Sequence, residues 1–229
     1  MAYKEANGLQ ILQPEQEAKQ KEWLEKRMEG RRHKDEVSDV FECIRTNSKR
    51  IQARKLFNYN IVLIGFMGAG KSTISDFLKN VFAMDVVEMD QIIAQRQGMS
   101  ISDIFETYGE QYFRDLETHL LIEMQSRSNV VISCGGGTPM RECKVVEMKK
   151  NGRVVLLTAK PETILDRVKN NHYRPLIENN KTVPFIADLM EKRRAKYEAA
   201  ADIIIETDGK NELEICEELV HRLRTMDEK

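Results

Sequence analysis

The sequence predicts an α/β fold: a five-stranded parallel sheet with helices on both faces, preceded by an N-terminal helical extension. Three observations carry this. Short apolar, β-branched runs at 61–64, 85–88, 130–133, 154–158 and 203–205 alternate with longer helical patterns. The first run leads straight into a glycine-rich loop followed by a helix. The first 59 residues differ in texture from the rest, being Gln- and charge-rich with helical spacings.

In the extension, Pro14 suits the first turn of a helix, with Glu15 and Glu17 favourable beside its positive end. Trp23, Leu24 and Met28 are its apolar members. After the basic turn Gly30-Arg31-Arg32-His33, a second helix places Val37, Val40, Phe41, Ile44 and Ile51 at spacings of three, four and seven. Two such helices carry too little apolar surface to fold alone. The stripe is therefore expected to pack on the following domain or on a second subunit, making a homo-oligomer through these helices one expectation. The domain division falls at 1–58 and 59–229.

Composition narrows the class. The chain of 229 residues holds 36 Lys+Arg against 37 Asp+Glu, a net charge of −1, which argues against a nucleic-acid partner. Four cysteines (Cys43, Cys134, Cys143, Cys216) form no C-x-x-C pair, and no apolar run approaches the roughly 18 residues of a membrane span. No signal peptide is visible, so a reduced cytoplasm is the expected location and no membrane partner is expected.

Ile61, Val62, Leu63 and Ile64 read as a buried strand. The next eight residues, Gly65-Phe66-Met67-Gly68-Ala69-Gly70-Lys71-Ser72, fill G-x-x-x-x-G-K-[ST], and a helix follows from Ile74 to Phe82. Glycines at 65, 68 and 70 let the backbone wrap where a Cβ would clash. The loop amides and the helix N-terminus then present partial positive charge to a polyphosphate. Lys71 adds an ammonium for the β- and γ-phosphates, and the Ser72 hydroxyl suits Mg²⁺. Gly68, Ala69, Gly70, Lys71, Ser72 and Thr73 are thus the expected nucleotide contacts.

The strand at 85–88 ends at Glu88-Met89-Asp90, two carboxylates at the edge of the crevice where α/β sheets bind ligands. Ser100-Ile101-Ser102-Asp103 is a helix start, and Gly109 separates that helix from one at 110–126. There Arg114 and Glu117 stand one turn apart, as a surface ion pair would. The strand at 130–133 runs into Cys134 and then Gly135, Gly136 and Gly137, whose ordering is costly enough to suggest amides close to a ligand, a tight turn being the alternative. A helix at 141–151 is expected to end on Gly152 as its C-cap. Pro161 opens a helix bearing Arg167. The polar stretch at 169–183, with Arg174-Pro175 inside it, reads as a lid. Pro184 starts a helix bearing Arg193, Arg194 and Tyr197, and 211–226 forms a closing amphipathic helix.

Taken together, GFMGAGKST, MDQIIAQRQGMSISDIFETYGEQYFRDLE, VISCGGGTPMRE, NGRVVLLTAKPETILDRV, HYRPLI and KRRAKYEAAADIIIET resemble the shikimate kinase family, in order and at suitable spacing, over 60–226. The resemblance implies a P-loop kinase fold, ATP and Mg²⁺ as the donor complex, and phosphorylation of the 3-hydroxyl of shikimate. It implies that Arg114 and Arg193 bind the shikimate carboxylate, beside Gly135, Gly136 and Gly137, with Glu117 orienting Arg114. A planar guanidinium fork suits a carboxylate on independent grounds and argues against a neutral acceptor. Asp90 matches the residue that binds two ring hydroxyls and helps deprotonate the attacking one. Arg174 matches the arginine that closes on the transferring phosphoryl group, Arg167 the one that stacks on adenine, and Lys210 a position near adenine. The family usually reads Asp-x-Asp where this chain has Glu88-Met89-Asp90, so Glu88 is the expected metal carboxylate with one added methylene. The alternatives are a related kinase of another small hydroxy acid, or a nucleotide-binding scaffold that uses the extension.

The extension has its own resemblance. YKEANGLQILQPEQEAKQKEWL and VSDVFECIRTNSKRIQ are similar to the last two helices of an all-helical chorismate mutase, with Lys4, Glu17, Ser48 and Gln52 at matching positions. Two features depart from that family: the arginine-rich first helix has no counterpart ahead of Met1, and Gln16 stands where arginine is usual. A remnant without mutase activity is the expectation, because the reaction needs those cations.

Overall fold

The computed structural model describes residues 14–169 and 182–228. Its elements run α1 (Pro14–Met28), α2 (Lys34–Leu56), β1 (Asn60–Ile64), α3 (Lys71–Phe82), β2 (Asp85–Glu88), α4 (Met89–Gln97), α5 (Ile101–Met124), β3 (Val130–Ser133), α6 (Glu142–Lys150), β4 (Gly152–Thr158), α7 (Pro161–Val168), α8 (Val183–Ala200), β5 (Ile203–Glu206) and α9 (Glu212–Asp227). All five strands are parallel, in the order β2-β3-β1-β4-β5. β1 therefore lies between two strands that both come later in the chain, and the crevice opens at their carboxyl ends.

The pleat divides the core. Ile61 and Leu63 of β1 face a layer with Leu78 of α3, Ile164 of α7 and Leu219 of α9. Val62 and Ile64 face the other side, with Ile93 of α4, Leu120 of α5, Met148 of α6 and Ala200 of α8. Every residue of β1 is buried, as a central parallel strand covered by helices requires. The run at 61–64 is apolar at every position for that reason.

Local signals place the helices. Ser100 and Asp103 form a reciprocal capping box at the start of α5, and Asn211 with Glu214 does the same for α9. Gly109 breaks α5 with φ 82° and ψ 167°, so the separation expected there is a kink inside one long element. One expectation is corrected: Gly152 is not the cap of the helix before it. Asn151 caps α6, and Gly152 opens β4, where a Cβ would lie 2.5 Å from the Met148 carbonyl oxygen and 2.7 Å from Val62. Close packing, not a left-handed turn, requires glycine there.

The extension packs differently from its apolar pattern. α2 lies against α3, and the wholly buried Ala53 and Phe57 join the core layer containing Ile61. Phe57 meets Phe82 edge-on at 5.7 Å and Tyr59 at 6.1 Å. Lys49 donates to the Asn80 carbonyl at 2.9 Å and pairs with Glu17 of α1 at 2.7 Å. Among the described residues the expected stripe is covered only in part: Phe41 is half-buried, whereas Val40, Ile44 and Ile51 stay exposed, as does Trp23.

A cut at residue 58 would thus remove two core side chains along with the helices. Phe57→Ala should destabilise the protein by about 3–5 kcal/mol in urea unfolding, the usual cost of emptying a buried aromatic site. Removing residues 1–32 should shift the same transition much less.

Candidate active site

The loop after β1 adopts backbone angles that few residues other than glycine accept: φ is 145° at Gly65, 78° at Gly68 and 99° at Gly70. At Gly65 space matters as well, since a Cβ would sit 2.4 Å from the Leu157 carbonyl oxygen on β4. Gly70 is the N-cap of α3 and supplies no side-chain cap, and no acidic residue occupies the first turn. α5 and α9 cap their own ends; α3 leaves its first amides for an anion. Ala69 is buried under the loop, while Ser72 and Thr73 are exposed in the first turn. Lys71 donates from Nζ to the carbonyls of Gly65 (2.9 Å) and Phe66 (3.1 Å), which holds the ammonium across the loop.

Beside the loop, Ser72 Oγ lies 3.3 Å from Glu88 Oε2, and Ser75 Oγ donates to Glu88 Oε1 at 2.7 Å. A hydroxyl and a carboxylate meeting at the phosphate loop form a hard-oxygen pair. That donor set fits Mg²⁺, which takes few protein ligands and completes its shell with phosphates and water. Arg167 reaches the loop from α7, donating to the Gly68 carbonyl and to Thr207 Oγ1, both at 3.1 Å. Lys210 instead pairs with Glu218 of α9 at 2.6 Å. Arg174 and most of the expected lid, 170–181, lie outside the described residues, as does Lys4.

The three glycines after β3 organise the other half of the crevice. None has a positive φ. A Cβ on Gly135 would meet Asp90 Oδ1 at 2.7 Å, and one on Gly137 would meet both Arg114 Nη atoms at 2.7 Å. The space a side chain would need is filled by those of Asp90 and Arg114, one at each end of the turn. Gly136 accepts from the Tyr197 hydroxyl at 2.5 Å, which ties α8 to the same turn. Arg193, one turn earlier on α8, stands over the Phe66 ring at 5.9 Å. The turn thus brings together side chains from α4, α5 and α8.

The Arg114–Glu117 pair is not a surface pair, because Glu117 is buried. Arg114 Nη1 donates to Glu117 at 2.9 Å, and Nε and Nη2 donate to Glu110 at 3.0 and 2.9 Å. Glu117 is fully buried and also receives Lys144 Nζ at 2.5 Å and the Thr138 hydroxyl. Sequence reasoning missed Lys144, Thr138 and Ser75. Lys144 had a signal: it sits four residues before Met148, on the face of α6 that is buried. Ser75 had none beyond lying one turn after Ser72.

Burial pushes the Asp90 carboxyl above its ordinary value, and the nearby Glu117 and Glu88 charges push it further, against the pull of Lys71 and Arg114. Asp90 is thus a stronger base than a solvated aspartate, suited to holding the proton of a hydroxyl.

The sequence profile described as shikimate kinase matches residues 67–224. The chain belongs to the shikimate kinase family. A shikimate kinase of Persephonella marina is 41% identical over 165 residues, covering 72% of this chain and 99% of the relative. One from Dehalococcoides mccartyi is also 41% identical, covering 72% and 93%. Among solved structures, shikimate kinase from Acinetobacter baumannii in complex with shikimate is 30% identical, with a TM-score of 0.69 over 75% of this chain and 96% of that one. That from Aquifex aeolicus is 36% identical, with a TM-score of 0.61 over 73% and 98%. As a member of the shikimate kinase family the chain is a phosphotransferase using ATP with Mg²⁺. No helix among the described residues is long and apolar enough to cross a membrane.

A raised carboxyl pKa has a stability consequence with a definite sign. The fold favours protonated Asp90, so its contribution is full below the ordinary value of 3.8 and is lost as pH rises through the raised value. Asp90→Asn should therefore melt higher than the parent at neutral pH. The gap should close in acid, and thermal melts across the pH range read it directly.

Proposed function

We propose that this protein transfers the γ-phosphoryl group of ATP to the 3-hydroxyl of shikimate, giving shikimate 3-phosphate and ADP. The observation that carries the reading is the turn at Gly135–137, where the Asp90 carboxylate and the Arg114 guanidinium pack against the two ends of a backbone with no side chains. An acceptor that carries both a carboxylate and ring hydroxyls needs that pair. A second arginine, Arg193, approaches the same turn through α8, and two guanidiniums suit an acid better than a neutral polyol.

In this reading, the Gly68, Ala69 and Gly70 backbone, Lys71, Ser72 and Thr73 hold the phosphates, and Arg167 holds the nucleotide beside them. Lys210, by its place in the family pattern, borders adenine. Ser72 and Glu88 are the metal residues. Bound Mg²⁺ would neutralise charge on the phosphates. Arg114 and Arg193 seat the shikimate carboxylate with the Gly135, Gly136 and Gly137 backbone. Asp90 fixes the ring hydroxyls and takes the proton of the attacking one. Lys71 and, by its family match, Arg174 stabilise the transferring group, where positioning and charge supply nearly all the catalysis.

The test is a coupled ADP-release assay with and without shikimate. ADP release should require shikimate, and Lys71→Ala should reduce it by orders of magnitude. Arg114→Ala and Arg193→Ala should each weaken shikimate affinity by about 2–5 kcal/mol. Shikimate-independent turnover, or calorimetric affinity unchanged in both arginine variants, would reject the acceptor assignment.

For residues 1–58 we infer a mutase-like remnant that serves packing and self-association. Gln16 supports the loss of mutase chemistry, and Glu17, at a matched position, is occupied by Lys49 at 2.7 Å. Ser48 and Gln52 are likewise joined to each other at 3.3 Å. The exposed Val40, Ile44 and Ile51 support association. The purified chain should not convert chorismate to prephenate above the uncatalysed rate, and conversion at an enzymatic rate would overturn this.

A further inference from the structure

Ser75 lies outside the phosphate-loop motif and is completely buried. It follows Ser72 by three residues on α3, so the two hydroxyls stand on one face of the helix, toward the end of β2. Glu88, the last residue of β2, presents one carboxylate oxygen to each: Oε1 to Ser75 at 2.7 Å and Oε2 to Ser72 at 3.3 Å.

A serine has one hydroxyl hydrogen. Ser75 Oγ has two acceptors in range, the Ser72 carbonyl at 3.0 Å and Glu88 Oε1 at 2.7 Å. The carboxylate is the nearer and the charged one, and charge-assisted bonds are the stronger. We propose that Ser75 is a positioning residue for magnesium: it clamps the inner oxygen of Glu88, so that the outer oxygen is held beside the Ser72 hydroxyl, where the cation of the nucleotide complex binds.

The clamp answers a need created by this chain's own sequence. Glutamate has one more rotatable bond than aspartate, and an unheld carboxylate at this place would sample positions away from the metal. A buried hydroxyl on the neighbouring helix removes that freedom from the protein side and leaves the other oxygen facing the crevice. The competing explanation is that Ser75 only returns its hydrogen to the carbonyl three residues back, as helix serines do, and that Glu88 lies near it by chance.

The proposal rests on the assignment of Ser72 and Glu88 to Mg²⁺, and the experiment separates the two. Calorimetric binding of ADP at graded Mg²⁺, with Mn²⁺ electron paramagnetic resonance in parallel, gives the cation concentration for half-saturation. Ser75→Ala should raise it about tenfold, the usual effect of removing a partner behind a metal ligand. Turnover at saturating Mg²⁺ and ADP binding without a divalent cation should stay near the parent values. Glu88→Ala should raise the requirement too, and adding Ser75→Ala to it should change nothing further, because the serine acts through the carboxylate. An unchanged requirement in Ser75→Ala would overturn the proposal. So would an equal shift from Ser75→Ala with and without Glu88. Glu88→Ala with the parent's cation dependence would instead remove the metal assignment beneath it.

Discussion

Glu117 carries a carboxylate inside the protein, and three groups from three segments are aimed at it: Arg114 on its own helix, Lys144 on α6, and the Thr138 hydroxyl just after the glycine turn. An unpaired charge at that depth would cost several kcal/mol, so the partners must be in place for the fold to close. That requirement fixes α5 against α6 and both against the turn at Gly135–137. It also fixes Arg114, whose guanidinium lies over Gly137 because Glu117 holds it from behind. The cluster is therefore at once a folding constraint and the support of the proposed acceptor site. Lys144 offsets the charge of Glu117, so Arg114 need not be consumed in neutralising it.

The two halves of the crevice solve different problems. The phosphate side is built from backbone: a loop of unusual φ values, an uncapped helix end and a lysine held across its own carbonyls. Phosphates are much alike wherever they occur, and amides at fixed positions suit them. The proposed acceptor side is built from side chains on α4, α5 and α8, meeting where glycine leaves them room. Discrimination among small acids needs charges of defined geometry, and these come from elements distant in sequence. Asp90 lies between the halves, and its raised pKa reflects that place: it is crowded by protein and by two other carboxylates.

That division also explains what could be read from the chain beforehand. The phosphate loop is contiguous, so Gly65, Gly68, Gly70, Lys71 and Ser72 announce themselves by spacing. The strands were legible because parallel, doubly covered strands are apolar throughout, and the kink at Gly109 because glycine interrupts a helical pattern. In the other half of the crevice, the place of Asp90 at the crevice edge and the unusual glycine run were legible locally, but the roles proposed there come from family resemblance. Arg114 and Glu117 alone have the spacing of a surface pair, and nothing local says that Glu117 is buried. Lys144 and Ser75 escaped because each acts on a residue from another element, 27 and 13 positions away. The triple glycine reads as a place where amides come close to a ligand; that Asp90 and Arg114 fill the space a side chain would need there has no local signal.

The extension shows how an apolar stripe can point away from the packed face. On α2 the covered positions are Ser38, Phe41, Arg45, Thr46, Lys49, Gln52, Ala53 and Leu56, which recur at helical spacing. Val37, Val40, Ile44 and Ile51 recur at the same spacing, but roughly a third of a turn away at about 100° per residue. The covered face is mostly polar by composition, yet long stems of arginine, lysine and glutamine bury methylene groups while their heads find partners, as Lys49 does on Asn80 and Glu17. Only its last turns, with Ala53 and Phe57, enter the core itself. The helix is thus anchored at its carboxyl end by apolar burial and along its length by aliphatic stems and ion pairs. Val40, Ile44 and Ile51 lie off that attachment. Apolar periodicity identified the helix correctly, but the packed face is the one that leads into the buried Ala53 and Phe57.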